Sequence, residues 1–183
     1  VHQYRKIAFI KGTDGNQDAE QRFIVYKESL EEAGISFDEQ YITPGDFTPA
    51  AGQAAVTLLL DKRKLWPDVI VASNDDMAIG AIETLRKRGI LIPGDIAVVG
   101  FDDQPYSAIL TPSLTTVRQS VSEQAVKALE MVIQIVDGKD VPNEVVIPTQ
   151  AVIRQSCGCG ETTLLSINSL LPAERPAIGQ GTT

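Results

Sequence analysis

Asn74 and Asp75 follow an apolar run, Val69-Ile70-Val71-Ala72, after one serine, and stand where a helical pattern begins. A strand that ends in polar residues where a helix begins delivers those residues to the rim of an open α/β sheet, the place where ligands sit in such folds. A second run, Ile96-Ala97-Val98-Val99-Gly100, ends the same way in Phe101-Asp102-Asp103. The two junctions suggest two parts of one crevice. Asp14 and Arg22 from the first loop and helix start, and Phe47 after a second strand, complete a candidate set with Asn74 and Asp102. A guanidinium, an aromatic face, an amide and carboxylates suit a hydroxyl-rich ligand. Arg, Asp and Asn can take vicinal hydroxyls in bidentate fashion, and a ring can cover the apolar side of a sugar.

Each member also has a plain structural reading. Asp75 and Asp102 can cap helices or turns, Arg22 can be a surface ion-pair partner, and Phe47 can fill core. Between the two residues at the first junction, Asn74 is expected to be the ligand contact and Asp75 the helix cap.

Catalysis has less support. The single histidine is His2, and no Gly-x-Ser-x-Gly elbow occurs. Asp102 and Asp103 are adjacent, so on an extended segment they face opposite ways and make a poor acid/base pair. Gly12-Thr13-Asp14-Gly15 lacks the remaining residues of a phosphate-binding loop. An alternative from another class is a flavodoxin-like, magnesium-dependent phosphoryl-transfer or phosphoacceptor domain using Asp14, Asp75 and Asp102. Cys157 and Cys159 flank one glycine; a bridge between them would strain the backbone, and a structural zinc site usually needs four ligands where only distant His2 remains. They read as free thiols, and neither a metal nor a cofactor is expected.

The positioning elements follow from periodicity. A strand over 6–10, a polar loop over 12–17 and a helix with Phe23, Tyr26, Leu30 and Ala33 on one face form a first β-loop-α unit. A strand over 40–43 with a helix over 48–62, and a strand over 68–72 with a helix over 75–87, form the next two. A fourth strand covers 96–99. Alternation of this kind predicts a three-layer α/β/α, doubly wound parallel sheet. After Asp103 the rhythm breaks. A strand over 114–117, a helix over 121–136, strands over 144–147 and 151–153, and a Ser-, Thr-, Pro- and Gly-rich stretch beyond Glu161 follow. No internal repeat is present.

Bulk properties exclude several classes. A net charge of -8 with sixteen scattered basic residues argues against direct contact with nucleic acid. No apolar run approaches a membrane span, no signal peptide layout is visible, and a cytoplasmic setting is expected.

The succession of Arg5-Lys6-Ile7-Ala8-Phe9-Ile10, Arg22 to Tyr26, Gly45-Asp46-Phe47, Ser73-Asn74-Asp75-Asp76-Met77-Ala78-Ile79-Gly80, Val98-Val99-Gly100-Phe101-Asp102-Asp103 and Leu114-Thr115-Thr116-Val117-Arg118-Gln119 resembles the effector-binding core of the lactose/galactose repressor family, from about Tyr4 to Ser156. The resemblance implies a periplasmic-binding-protein-like fold in which two lobes close on a small molecule, often a sugar or a nucleobase, in a homodimer. It places Arg22, Phe47, Asn74 and Asp102 among the ligand contacts of the second lobe and Gln119 at a crossover between lobes. The implied division is a ligand-binding lobe over 4–118, a crossover and fragment of the partner lobe over 119–150, a return strand over 151–156, and a tail or linker over 157–183. The family's DNA-binding helix-turn-helix and most of its first lobe would lie upstream of Val1. The ending Ser156-Cys157-Gly158-Cys159 resembles versions of this sensor joined to a histidine kinase or diguanylate cyclase.

Overall fold

Strand β1 (Ile7–Ile10) shows how the chain divides its apolar residues. Ala8 and Ile10 enter one buried cluster and Phe9 another, so both faces of the strand need a covering layer. A computed structural model of the chain describes residues 2–159 and the strand 163–166. Strands β2 (Ile42–Thr43), β3 (Val69–Ala72) and β4 (Ala97–Val99) join β1 in a parallel sheet of order β2-β1-β3-β4, with Ile7 opposite Val69 and Phe9 opposite Ile42.

Helix α1 (Gln17–Glu32) covers one face, where Tyr26 and Leu30 pack with Phe9 and Ile42. Helices α2 (Pro49–Thr57) and α3 (Asp75–Lys87) cover the other, where Val56, Met77 and Leu85 meet Ile10, Ile70 and Val98. This is the three-layer α/β/α arrangement that the periodicity predicts. The helix starts carry their own signals. Asn16 accepts from the Ala19 amide, and Thr48 caps α2 with Pro49 at its first position. Arg86 and Lys87 close α3 where the helix dipole favours cations. Helices α2 and α3 touch backbone to backbone, since a Cβ on Gly52 would run into the Met77 carbonyl and one on Gly80 into that of Pro49. Beyond Thr57, α2 continues as the wider turn Leu58–Lys62, which buries Leu59 and Leu60.

Isolated bridges from Val99 to Thr115 and from Asp102 to Arg118 set β5 (Thr116–Arg118) beside β4. Strand β5 then pairs antiparallel with β6 (Gln150–Ile153), and β6 with β7 (Thr163–Ser166). Part of the sequence expected as tail is therefore a strand, while residues 160–162 and 167–183 lie outside the described residues. Helix α4 (Val121–Val136) has the predicted bounds yet buries none of its residues; Leu129 is 61% exposed and Ile133 53%. The strand expected over 144–147 does not form. Among the described residues no strand pairs with this stretch, and β-branched residues alone do not make a strand. No helix among the described residues is long and apolar enough to cross a membrane.

Candidate ligand-binding site

The parallel strands all point their carboxyl ends at one rim, and Asn74 sits at its centre. Its Oδ1 accepts a 3.0 Å bond from the Met77 amide, and its Nδ2 donates at 3.0 Å to the Phe47 carbonyl. Asn74 is thus the cap of α3 and Asp75 is the first residue inside the helix, which corrects the expectation of Asp75 as the cap. Capping selects the residue with extended backbone, φ -150° and ψ 171°, whose side chain can turn back onto the open amides.

Phe47 adopts φ 66°, in the left-handed region, and its half-buried ring packs against the main core. The ring also occupies the space that a Cβ on Gly12 would need, so Gly12 permits the contact. Phe47 is both core filler and rim residue. Arg22, on α1, donates at 2.8 Å from Nη1 to the Ser73 carbonyl and lies over the Phe101 ring at 4.0 Å. Among the described residues its remaining guanidinium N–H groups have no hydrogen-bond partner.

Asp102 and Asp103 do face opposite ways. The Asp102 amide donates to the Val117 carbonyl at 2.8 Å, and its Oδ1 accepts at 2.8 Å from Gln119 Nε2, leaving Oδ2 open. Burial holds this carboxyl above its ordinary proton affinity, while the Gln119 bond and the Arg22 charge pull it back down. Asp103 turns inward and binds Arg154 Nη2 and Arg118 Nε, each at 2.6 Å. Both backbones are unusual, with φ 121° at Asp102 and 57° at Asp103, and the ion pairs of Asp103 hold that conformation.

Asp75 is fully buried. It accepts 2.6 Å bonds from the Ser107 and Thr116 hydroxyls and a 2.9 Å bond from the Gln104 amide. Burial raises its proton affinity, and these three donors oppose the rise. Asp14 stands apart from the rest of the set: its side chain is 89% exposed and paired with Lys11 at 2.9 Å. Asp14, Asp75 and Asp102 therefore have separate partners and do not converge on a common point.

Arg22, Phe101 and Gln119 line a groove of about 610 Å³ that continues over Phe9, Val71, Val99 and Val117. Asp102 is not among the residues that line this groove and adjoins it through its bond to Gln119, while Phe47, Asn74 and Asp14 stand outside it. An unpaired guanidinium edge and an aromatic ring thus have an open carboxylate oxygen beside them. Such a set holds and orients a polar molecule; a nucleophile with an adjacent base, which covalent chemistry would need, is not part of it. Phe101, between Gly100 and Asp102, is not among the candidates that residue type singles out, because an aromatic next to a strand end reads as core filling. Arg154 reaches Asp103 across 51 positions and leaves no local signal in the sequence.

Residues 2–157 match the periplasmic binding protein-like domain family. The HTH-type transcriptional regulator AscG of Escherichia coli (strain K12) is 36% identical over 137 residues, covering 75% of this chain and 40% of that protein. The HTH-type transcriptional regulator GalR of the same organism is 30% identical over 152 residues, covering 83% and 44%. Among solved structures, the transcriptional regulator CelR–cellobiose complex superposes with a TM-score of 0.78 at 33% identity, over 84% of this chain and 47% of that one. The chain thus spans less than half the length of these relatives.

Proposed function

Because the chain belongs to the periplasmic binding protein-like domain family, in its lactose/galactose repressor branch, we propose that it is the small-molecule-sensing domain of a transcriptional regulator or signalling protein and acts by lobe closure. The observation that carries this reading is the Arg22–Phe101–Asp102 rim. Unengaged hydrogen-bonding atoms of both signs flank an aromatic face, the complement of a polyhydroxylated, carbohydrate-like effector. The cellobiose in the CelR structure supports the same class of ligand.

Lobe closure rests on the region after Gln119. Residues 4–118 and 151–156 form the ligand-binding lobe, and 119–150 cross over and contribute a fragment of the partner lobe. The exposed apolar face of α4 supports that division, since a surface helix with Leu129, Val132 and Ile133 in water is half of an interface. A ligand held between lobes favours the closed state by its extra contacts there, and a homodimer or attached output module then reads the change. The domain is not an enzyme and needs no cofactor on this reading. It works in the cytoplasm, and any contact of the parent protein with DNA belongs to another part of it.

Chemical-shift mapping of the isotope-labelled chain with millimolar monosaccharides, cellobiose or purine bases tests the reading. Expected are shifts at Arg22, Phe101 and Asp102 for a saccharide, lost in Arg22→Ala. Shifts produced only by magnesium with acetyl phosphate, centred on Asp75, would favour a phosphoacceptor instead.

A further inference from the structure

The segment before β1 and the turn after β6 meet at a cluster of soft ligands. His2 and Cys159 are 157 positions apart, yet His2 Nε2 stands 3.1 Å from Cys159 Sγ. The ligand atoms of His2, Cys157 and Cys159 all lie within 4.8 Å of one another. Both cysteines are free, Cys157 buried and Cys159 partly so. In a tetrahedral zinc site with zinc–sulfur bonds of about 2.3 Å, neighbouring ligand atoms are roughly 3.5–3.8 Å apart. Side-chain adjustments on the order of an ångström would therefore bring this trio to coordination.

Several contacts hold the trio in place. Cys157 ends the short turn Gln155–Cys157, and Gly158 follows with φ 93°, in the left-handed region. The left-handed backbone favours glycine at position 158, where a Cβ would lie in ordinary contact with the His2 ring and the Tyr4 hydroxyl at 3.4 Å. The Tyr4 ring stacks on His2 at 5.1 Å, and its hydroxyl donates to the Cys157 carbonyl at 3.1 Å. Farther along, the Asp68 carboxylate accepts from the Arg5 and Lys6 amides at 2.7 and 2.8 Å, anchoring the segment to the sheet.

From this geometry we infer that His2, Cys157 and Cys159 bind a thiophilic d¹⁰ cation, zinc(II) or copper(I). Two thiolates and an imidazole are the donors such ions select. Binding releases the two thiol protons to solvent, leaves the remaining imidazole proton on Nδ1 and involves no redox change. Zinc would keep one open position for water or an exogenous ligand; copper(I) accepts three donors. The metal would tie the segment before β1, at residue 2, to the turn that follows β6, at residue 159.

The test titrates the reduced full chain with zinc against a chromophoric chelator and with copper(I) against a cuprous chelator, and records the spectrum with cobalt(II). Expected are one tightly held ion per chain, a thiolate-to-cobalt charge-transfer band, and a rise in thermal midpoint with metal. His2→Ala should weaken binding roughly tenfold or more, and Cys159→Ser should abolish the band. Circular dichroism of each variant without metal verifies its fold, and His2→Ala removes no core side chain. Preference for zinc or for copper(I) identifies which ion the trio holds. Failure of the reduced chain to hold either ion in one-to-one ratio, or equal affinity in His2→Ala and Cys159→Ser, would overturn the inference.

Discussion

The Asp102 carboxylate accepts a 2.8 Å hydrogen bond from Gln119 Nε2, tying the loop after β4 to the residue where the chain leaves β5 for α4. A rim residue is thereby joined to the segment between β5 and α4, and on the proposed reading a ligand that engages Asp102 would act on a group already bonded to the crossover between lobes.

That bond, and the Arg22 charge, lower the proton affinity of a carboxyl that burial raises. Gln119→Ala should therefore move the Asp102 titration upward in pH, as should Arg22→Ala. Carbon-detected NMR of the carboxyl carbon measures both. A downward shift in either variant would contradict the electrostatic account of the rim.

Asn74 holds the start of α3 and the carbonyl of Phe47 with one amide. Asn74→Ala should cost about 1–3 kcal/mol in urea unfolding, from the lost cap and the unpaired carbonyl. Asn74→Asp retains the cap acceptor and loses the donor, and should fall between. Equal stability of all three proteins would remove Asn74 from the helix start.

Asp75 is the acceptor for three donors at a fully buried position. Asp75→Ala strands them and should cost roughly 3–5 kcal/mol. Asp75→Asn keeps an acceptor oxygen and a similar shape, and should cost less. The pH dependence has a definite sign. A carboxyl whose proton affinity is higher in the folded chain favours folding most below the ordinary aspartate range, and that contribution is lost as pH rises through the raised value. The stability of the native sequence relative to Asp75→Asn should thus fall with rising pH across that window. A rising difference would show that the three donors outweigh burial.

Helix α4 exposes Leu129 and Ile133 among other apolar residues. The double variant Leu129→Glu with Ile133→Lys should change unfolding free energy by no more than about 0.5 kcal/mol, as for surface positions, and should reduce self-association in sedimentation velocity. A loss of about 2 kcal/mol or more would mean that the face is packed within this chain.

Much of the fold was legible because its signals are local. The spacing of Met77, Ala78, Ala81, Ile82 and Leu85 marks α3 without reference to any other segment. The same holds for α4, whose bounds follow from Ala125, Leu129, Val132 and Ile133, although the pattern says nothing about what covers that face. The candidate strand over 144–147 shows the limit, since its residues suit a strand and among the described residues no neighbour completes it.

The sequence by itself determined the alternation of strands and helices, the three layers, and the rim to which Arg22, Phe47, Asn74 and Asp102 are delivered. Apolar period, cap residues and turn glycines act within a few positions, so they can be read along the chain. Only the tertiary structure decided that Asn74 caps and Asp75 is buried, that Asp102 faces the rim while Asp103 takes Arg154, and that His2 stands beside Cys159. Each of these depends on which distant donor reaches a given oxygen, nitrogen or sulfur. That is a property of packing across the sheet and not of spacing along the chain.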